Sequence, residues 1–240
     1  MGLRPLTARS VIASVLLGTH PPVLAVKALV RVGDLFGIAE GTIRVALSRM
    51  AADGELITND GHYRLGPRLA ARQASQDQGL WPEVTEWSGA WEIVLGPEGD
   101  GDRQTVGDRL EALHLARAGG RTWLRPANLI RLSSTPWPEE CVRFEGYPVV
   151  EGADDCAVAE SLWDLVGWQQ LGADLIGAYD AARGPAERFV VAAAILRQLR
   201  TDPLLPPAVT GDAWPAPGLR RVYEAFTAEI HGLMVASVHQ

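Results

Sequence analysis

Cysteine, lysine and long apolar runs are all scarce in this 240-residue sequence. Two cysteines, Cys141 and Cys156, are too few and too unpatterned for a disulfide framework or a zinc site, so the sequence predicts a reducing cytoplasm. The longest uncharged apolar run of the C-terminal half, residues 189–196, is far short of the roughly 20 residues that cross a bilayer. These absences predict a soluble globular chain, and the length allows two or three domains.

The formal net charge of −7 is unevenly distributed along the chain. Residues 1–76 carry nine basic and five acidic side chains, whereas the other 164 residues carry 13 basic and 24 acidic ones, so the two parts have net charges of +4 and −11. Such asymmetry is typical of a chain in which one part meets a polyanion. Chance on a surface with a single lysine, Lys27, explains the same numbers, and both interpretations stay open.

Three stretches within the first 65 residues have the apolar spacing of amphipathic helices, and the period then changes to two. Gly37 and the pair Asp53-Gly54 are suited to end the second and third helices. Residues 55–58 and 62–65 alternate around Asn59-Asp60-Gly61, which predicts a β-hairpin. Three helices followed by a hairpin predict a winged helix-turn-helix. The inward positions are Ile12, Val15 and Leu16, then Val26, Leu29 and Val30, then Ile43, Ala46, Leu47 and Met50.

The third helix, about residues 39–53, is the candidate DNA-recognition helix. A helix fits the major groove, where arginine pairs with guanine or phosphate, serine and threonine bond to either, and a small apolar side chain contacts a thymine methyl. An ordinary amphipathic helix, or a winged helix that contacts proteins, explains the same pattern. The face opposite the apolar positions carries Thr42, Arg44, Val45, Ser48 and Arg49.

In the rest of the chain, the apolar periodicity predicts a small α+β unit followed by helices. Strands are predicted at residues 91–95, 122–125, 130–133 and 142–144, with one helix at 105–118. Further helices are predicted at 158–168, 171–181, 185–199 and 216–235, whereas residues 202–207 are too rich in proline to be helical. Arg121 and Arg125 alternate with Trp123 on a predicted strand. Two explanations stay open: the two arginines bind the phosphates of a coenzyme A, or they lie on an exposed sheet edge.

Three separated motifs resemble the PaaX family of bacterial transcriptional regulators. The segment Ile43-Arg44-Val45-Ala46-Leu47-Ser48-Arg49 resembles the core of the family's recognition helix. Trp91-Glu92-Ile93-Val94-Leu95 resembles the first strand of its central domain. Asp202-Pro203-Leu204-Leu205-Pro206-Pro207 resembles its C-terminal signature. The motifs occur in the family's order along nearly the whole chain.

The resemblance implies a multidomain α+β fold. It implies a GntR-like winged helix-turn-helix in residues 1–84, a ferredoxin-like domain similar to the small CRISPR adaptation nuclease in 85–150, and a helical domain in 151–240. It also implies a cytoplasmic homodimeric repressor of a catabolic operon that binds an inverted repeat of double-stranded DNA. In the best-known relatives, which control phenylacetate breakdown, an acyl-CoA effector, phenylacetyl-CoA, releases the DNA.

Two positions depart from the family pattern. Ala39 stands where relatives often have a capping serine, so Glu40 or the preceding backbone is expected to satisfy the helix start. The wing is short and poor in charge, with Arg64 as its one predicted DNA contact. Affinity is therefore expected to depend mainly on the third helix.

The nuclease-like central domain raises an enzyme hypothesis, but the sequence predicts no enzyme. Metal-assisted cleavage needs carboxylates, and the first strand ends in Leu95-Gly96-Pro97 where that nuclease family has an aspartate. No metal site or cofactor is predicted, because the five histidines have no ligand spacing. The alternative function is an effector-binding or protein-contact module without DNA binding.

Overall fold

The computed structural model describes residues 7–98, 103–130, 137–147, 152 and 154–236. Within these residues the chain is a mixed α+β protein with ten helices and two antiparallel sheets, and no helix there is long and apolar enough to cross a bilayer. The strands are β1 (Val23–Ala25), β2 (Leu56–Asn59), β3 (His62–Leu65), β4 (Trp91–Leu95), β5 (Ala116–Gly119), β6 (Thr122–Pro126) and β7 (Val142–Gly146). The helices are α1 (Ala8–Leu17), α2 (Val26–Leu35), α3 (Glu40–Ala52), α4 (Pro67–Leu80), α5 (Arg103–Ala112), α6 (Asp155–Leu162), α7 (Leu165–Ala181), α8 (Pro185–Leu199), α9 (Pro207–Thr210) and α10 (Ala216–Ala236).

The chain forms two compact units. The first contains the described residues of Met1–Leu80, Gly172–Arg200 and Ala216–Gln240, and the second those of Trp81–Leu171 and Thr201–Pro215. The C-terminal helices are thus shared between the two units. The division into domains at 1–84, 85–150 and 151–240 stays a prediction.

The first three helices are confirmed, and their ends follow from backbone hydrogen bonding. At the end of α2, Gly37 has a φ of +67°, its N–H donates to the carbonyl of Asp34, and the N–H of Ile38 donates to that of Gly33. This is a Schellman motif, which requires a left-handed residue and therefore favours glycine. Gly54 ends α3 in the same way. The buried residues that α1, α2 and α3 contribute to a common core are Ala8, Ile12, Leu16, Leu17, Leu29, Ile43, Leu47 and Met50.

The predicted hairpin is confirmed, and it belongs to a three-stranded antiparallel sheet in the order β1-β3-β2. Asp60 and Gly61 connect its strands with φ values of +46° and +72°, as a two-residue hairpin turn requires. Strand β1 was not predicted. Its three residues have no strand periodicity of their own and pair only with β3, from Val23 opposite Arg64 to Ala25 opposite His62.

Gly66 lies where the hairpin approaches the end of α3. A Cβ there would overlap the carbonyl oxygen of Gly54 and lie 2.9 Å from that of Glu55, and neither backbone group can move freely. We expect Gly66→Ala to lower the free energy of unfolding by about 2–3 kcal/mol, measured by chemical denaturation. The matched control is Gly41→Ala in α3, where an added Cβ meets nothing within 4 Å. Since alanine is the better helix former, this variant should gain about 1 kcal/mol, and equal effects at both sites would contradict the packing argument.

The second unit is built on a four-stranded antiparallel sheet in the order β5-β6-β4-β7. Both faces of β4 are covered, which explains its nearly continuous apolar sequence. Val94 packs with Val106 and Leu110 of α5, whereas Trp91 packs with Val158 of α6 and with Leu205, which precedes α9. The strands predicted at 91–95, 122–125 and 142–144 are confirmed. Of the strand predicted at 130–133, Ile130 is not in a strand, and residues 131–133 lie outside the described residues.

The single helix predicted at 105–118 is wrong, because α5 ends at Ala112 and Ala116 begins β5. His114 adopts a left-handed φ of +62°, its N–H donates to the carbonyl of Glu111, and the N–H of Leu115 donates to that of Leu110. This is a third Schellman motif, with histidine in the position that glycine normally fills. Strand β5 ends at Gly119, which pairs with Thr122, and Gly120 with a φ of +52° begins the turn into β6.

The helix predicted at 158–168 is interrupted. Helix α6 ends at Leu162, Trp163 is extended, and α7 begins at Leu165 because the carboxylate of Asp164 accepts from the N–H of Gly167 at 2.9 Å. That is an N-cap, which begins a new helix. The helices predicted at 185–199 and 216–235 are confirmed as α8 and α10, and the proline-rich stretch stays non-helical up to α9.

Arg125 lies on strand β6, which is flanked by β5 and β4, so the exposed-edge interpretation is wrong for this residue. Its side chain is fully buried and donates to the carbonyls of Pro126 and Leu204 and to the amide oxygen of Asn128. The guanidinium therefore holds the connector of residues 202–206 on the second unit. Arg121, by contrast, is half-exposed and pairs with Glu98 at 3.0 Å.

Candidate nucleic-acid interface

Helix α3 presents the five predicted contact residues together on its exposed face. Ile43, Leu47 and Met50 are buried in the core of the first unit, which fixes the rotation of the helix. Gly33 of α2 allows this close packing, because a Cβ at Gly33 would lie 2.7 Å from the terminal methyl of Ile43. The exposed side chains are Thr42, Arg44, Val45, Ser48 and Arg49.

The start of α3 has no side-chain cap. Ala39 is the N-cap residue, and its carbonyl accepts from the N–H of Thr42 at 2.9 Å and from that of Ile43 at 3.2 Å. Glu40 lies in the first turn, where the helix dipole favours a negative charge, but it makes no capping bond. The N–H groups of Glu40 and Gly41, which precede these two bonds, are therefore available to an oxygen acceptor such as a phosphate.

Arg44 is engaged within its own helix. Its Nε and one terminal nitrogen each lie 2.7 Å from Oε1 of Glu40, and both side chains are more than half exposed. An exposed pair at this spacing is worth only about 0.3–0.5 kcal/mol, so Arg44 can exchange Glu40 for a phosphate or a base edge at small cost. Glu40 nevertheless brings a negative charge to this face.

Arg49 differs from Arg44 because it lies near the C-terminal end of α3, one turn before Asp53. No ion pair of the described residues includes Arg49. Its exposed guanidinium can therefore offer all its donors to a ligand, including two to one guanine.

Arg64 is the predicted contact on the hairpin, and it lies on β3, the middle strand of its sheet. Tyr63 and Leu65 pack into the core, so Arg64 and His62 face away from it. The ring of His62 is tied back to its own turn, since Nδ1 lies 3.0 Å from the carbonyl oxygen of Asp60. The wing thus offers a single arginine, as the sequence indicated.

Arg9, one of the basic residues of the N-terminal segment, has a structural role. Arg9 of α1 forms a two-point ion pair with Glu55, which follows α3, and one of its bonds joins Nε to Oε2 at 3.0 Å. The hydrogen bond and the charge of Glu55 raise the pKa of Arg9 above its ordinary value. This pair neutralises a carboxylate that would otherwise lie beside the candidate recognition helix, and it ties the start of α1 to the end of α3.

Residues suited to metal chemistry do not cluster in the described part of the chain, where no group of three His, Cys, Asp or Glu side chains could hold an ion. Asp154 and Asp155 are used structurally. Asp154 caps α6 by accepting from the N–H of Ala157 at 2.9 Å, and Asp155 accepts from the indole N–H of Trp91 at 2.8 Å.

A cavity of about 710 Å³ in the first unit was not foreseen from the sequence. It is lined by α1, α4, α7, α8 and α10 together with the Gly18-Thr19 turn after α1. One feature of the sequence indicates a polar site in this part of the core. Gln73 and Gln76 occupy the inward face of α4 between Leu69 and Leu80, and buried polar side chains at such positions need a specific partner.

Comparisons with known proteins support the resemblance of the N-terminal segment. A family model described as PaaX-like protein matches residues 7–72, which include the three helices and the hairpin. A similar solved structure is the uncharacterized protein Rv0674 from Mycobacterium tuberculosis, with 35% sequence identity, a TM-score of 0.82, and coverage of 96% of this chain and 98% of that one. No curated protein matches the sequence.

Proposed function

This chain belongs to the PaaX-like family, and from that premise we propose that it is a transcriptional regulator that binds operator DNA and represses a catabolic operon. The observation that carries the proposal is the exposed face of α3. This face combines Arg44, Arg49, Thr42 and Ser48 with the small apolar Val45 on a helix whose opposite side is fixed by the core. Major-groove recognition uses guanidinium and hydroxyl groups as hydrogen-bond donors to base edges, and apolar side chains as contacts to thymine methyl groups.

The architecture supports the same function. Helices α2 and α3 are joined by the tight Gly37 turn, and a two-stranded hairpin follows, as in a GntR-like winged helix-turn-helix. In the second unit, the order β5-β6-β4-β7 with α5 after the first strand is that of a split β-α-β unit, which supports a ferredoxin-like domain. The second helix of such a domain is not among the described residues between β6 and β7.

The partners are proposed from the family. A homodimer would match the two-fold symmetry of an inverted-repeat operator, and an effector of the acyl-CoA type, such as phenylacetyl-CoA, would release the DNA. No cofactor and no catalytic step are part of this proposal. Light scattering on the purified chain, with and without the effector, measures the oligomeric state.

A mobility-shift titration against the DNA upstream of the gene tests DNA binding. If Arg44, Arg49 and Arg64 each neutralise one phosphate, raising the salt from about 50 to 200 mM should weaken binding by about 40-fold per protomer. Scrambled DNA of the same length is the control, and it should bind much more weakly because it carries the same phosphates but lacks the base pattern of the operator.

The same experiment separates the alternative functions. A protein-contact or effector-binding module without DNA binding predicts no salt-dependent shift with any DNA. A metal-dependent nuclease predicts cleavage after addition of Mg²⁺ or Mn²⁺ that disappears on chelation. Either result would contradict the proposed regulator.

A further inference from the structure

The cavity of the first unit has an apolar interior. Phe189 and Leu196 of α8, with Phe226 and Ile230 of α10, form much of its wall. Its volume of about 710 Å³ lies within the range of small-molecule sites, which combine an apolar body with a few polar groups. Filling it with a ligand would remove this apolar surface from water.

Gln76 of α4 gives the cavity an unused hydrogen-bond acceptor. The residue is 2% exposed, lines the cavity, and its Oε1 accepts no hydrogen bond from any residue that the structure describes. A buried acceptor without a partner costs about 1–3 kcal/mol, and the terminal torsion of glutamine is broad, so a donor in the cavity can engage Oε1 with little rearrangement. The neighbouring Gln73 shows the contrast, because its amide donates to the carbonyls of Leu17 and Thr19 at 3.0 and 3.1 Å.

The charged residues that line the cavity are all basic. Arg72 of α4, with Arg197 and Arg200 near the end of α8, are exposed, so they lie at its rim rather than in its interior. Helices α4 and α8 meet nearby, since a Cβ on Gly79 would lie 2.8 Å from the carbonyl oxygen of Leu199. Three guanidinium groups beside an apolar interior suit a compact anion.

Tyr223 of α10 adds a donor to the wall of the cavity. Burial, with a smaller effect from the carboxylate of Asp77, raises the pKa of Tyr223 to about 12. The hydroxyl therefore stays protonated at neutral pH and can donate to a carboxylate.

We propose that this cavity binds an amphipathic carboxylic acid whose apolar body carries an O–H or N–H donor close to the carboxylate. The spacing of the donor follows from α4. Arg72 and Gln76 are four residues apart, so their Cβ atoms lie about 5–6 Å apart on one face of the helix. A 3-hydroxy acid has this arrangement, with its chain in the apolar interior and its carboxylate at the arginines.

Such a ligand would act close to the recognition helix. Gly18 and Thr19 line the cavity at the end of α1, and Ile12 and Leu16 of α1 share a core with Ile43 and Leu47 of α3. The use of this site to control DNA, as a second input beside the acyl-CoA-type effector, rests on the function proposed above, whereas ligand binding itself does not. The test is therefore made without DNA.

The probe is 8-anilinonaphthalene-1-sulfonate, an aromatic anion with one N–H donor, whose fluorescence rises in apolar surroundings. It should bind the full-length protein at one saturable site. We expect 3-hydroxydecanoate to displace it at about tenfold lower concentration than decanoate, because only the hydroxy acid satisfies Gln76. Decylamine should not displace it at the same concentrations. Stronger displacement by decanoyl-CoA than by either acid would overturn the carboxylate assignment.

Three substitutions locate the site. Gln76→Leu should abolish the preference for the hydroxy acid while leaving decanoate binding unchanged. Arg197→Gln should weaken both acids about tenfold, whereas Arg221→Gln, at an exposed position of α10 outside the cavity, should change neither. Ala194→Trp should fill the cavity and exclude the probe. A hydroxyl preference that survives Gln76→Leu, or equal effects of the two arginine variants, would overturn the proposal.

Discussion

Arg49→Ala should lower the affinity for operator DNA by about 1–3 kcal/mol, which is roughly 5- to 150-fold, without changing the stability of the protein. The side chain is exposed on α3, and none of the ion pairs of the described residues involves it. Its removal therefore costs a DNA contact and no intramolecular one. Affinity is measured by fluorescence anisotropy with labelled operator, and stability by thermal denaturation of the free protein.

The pair of Arg44 and Glu40 provides a companion test with the opposite sign. Arg44→Ala should also weaken binding, whereas Glu40→Gln should strengthen it several-fold, because it frees Arg44 and removes a negative charge from the face that meets the phosphates. The amide retains the size of the carboxylate, so packing is unchanged. A loss of affinity in Glu40→Gln would show that Glu40 is needed at the interface.

The matched control for both arginines is Arg221→Ala. Arg221 is also an exposed helical arginine, but it lies on α10. Its removal changes the net charge by the same amount, so it measures the long-range effect of one lost positive charge. If Arg44→Ala and Arg49→Ala lower affinity no more than Arg221→Ala does, α3 is not the recognition helix.

The N-terminal elements could be predicted because their signals are local. The period of 3.6 identifies the buried side of α3, and glycine at Gly37 and Gly54 identifies where helices end, since other residues are strained in the left-handed conformation. Once the buried side of α3 is known, the candidate DNA contacts are the residues on the opposite, exposed side of the helix. The turn at Asp60-Gly61 is equally local.

The errors arose where a local signal was unusual, hidden among apolar neighbours, or too short to read. His114 ends α5 in the left-handed conformation that glycine usually adopts, and Asp164 begins α7 inside a stretch that is apolar on both sides. Strand β1 is too short to show a period, and its partner β3 is nearly 40 residues away in sequence. Such features depend on tertiary context and not on local propensity.

The reason that the cavity could not be predicted from the sequence is different. An unfilled space results from how five separate helices pack, and no single segment of the sequence records it. Only the polar Gln76 at an inward position hints that something besides protein atoms fills the interior. Arg125 presents the same difficulty, because its burial depends on the order of the strands.

Arg125 links distant segments of the second unit. Its guanidinium donates to the carbonyl oxygens of His114 and Leu204, at 3.4 and 3.3 Å, and to the amide oxygen of Asn128 at 2.8 Å. Leu204 is held in a left-handed conformation with a φ of +54°. Two further side chains bind Leu204. The side-chain amide of Asn128 donates to its carbonyl oxygen, and the carboxylate of Asp202 accepts from its N–H. The connector of residues 202–206 is therefore held by buried polar groups.

Arg125→Met should lower the free energy of unfolding by about 3 kcal/mol or more. Methionine fills much of the volume but leaves the buried acceptors on Pro126, Asn128 and Leu204 without the arginine's donors. Arg117→Met is the matched control, because Arg117 also donates to a carbonyl, that of Gly120, but is exposed. Guanidinium denaturation followed by tryptophan fluorescence should show a large loss only for Arg125→Met. A loss below about 1 kcal/mol would mean that water replaces the guanidinium and that the connector is held by packing alone.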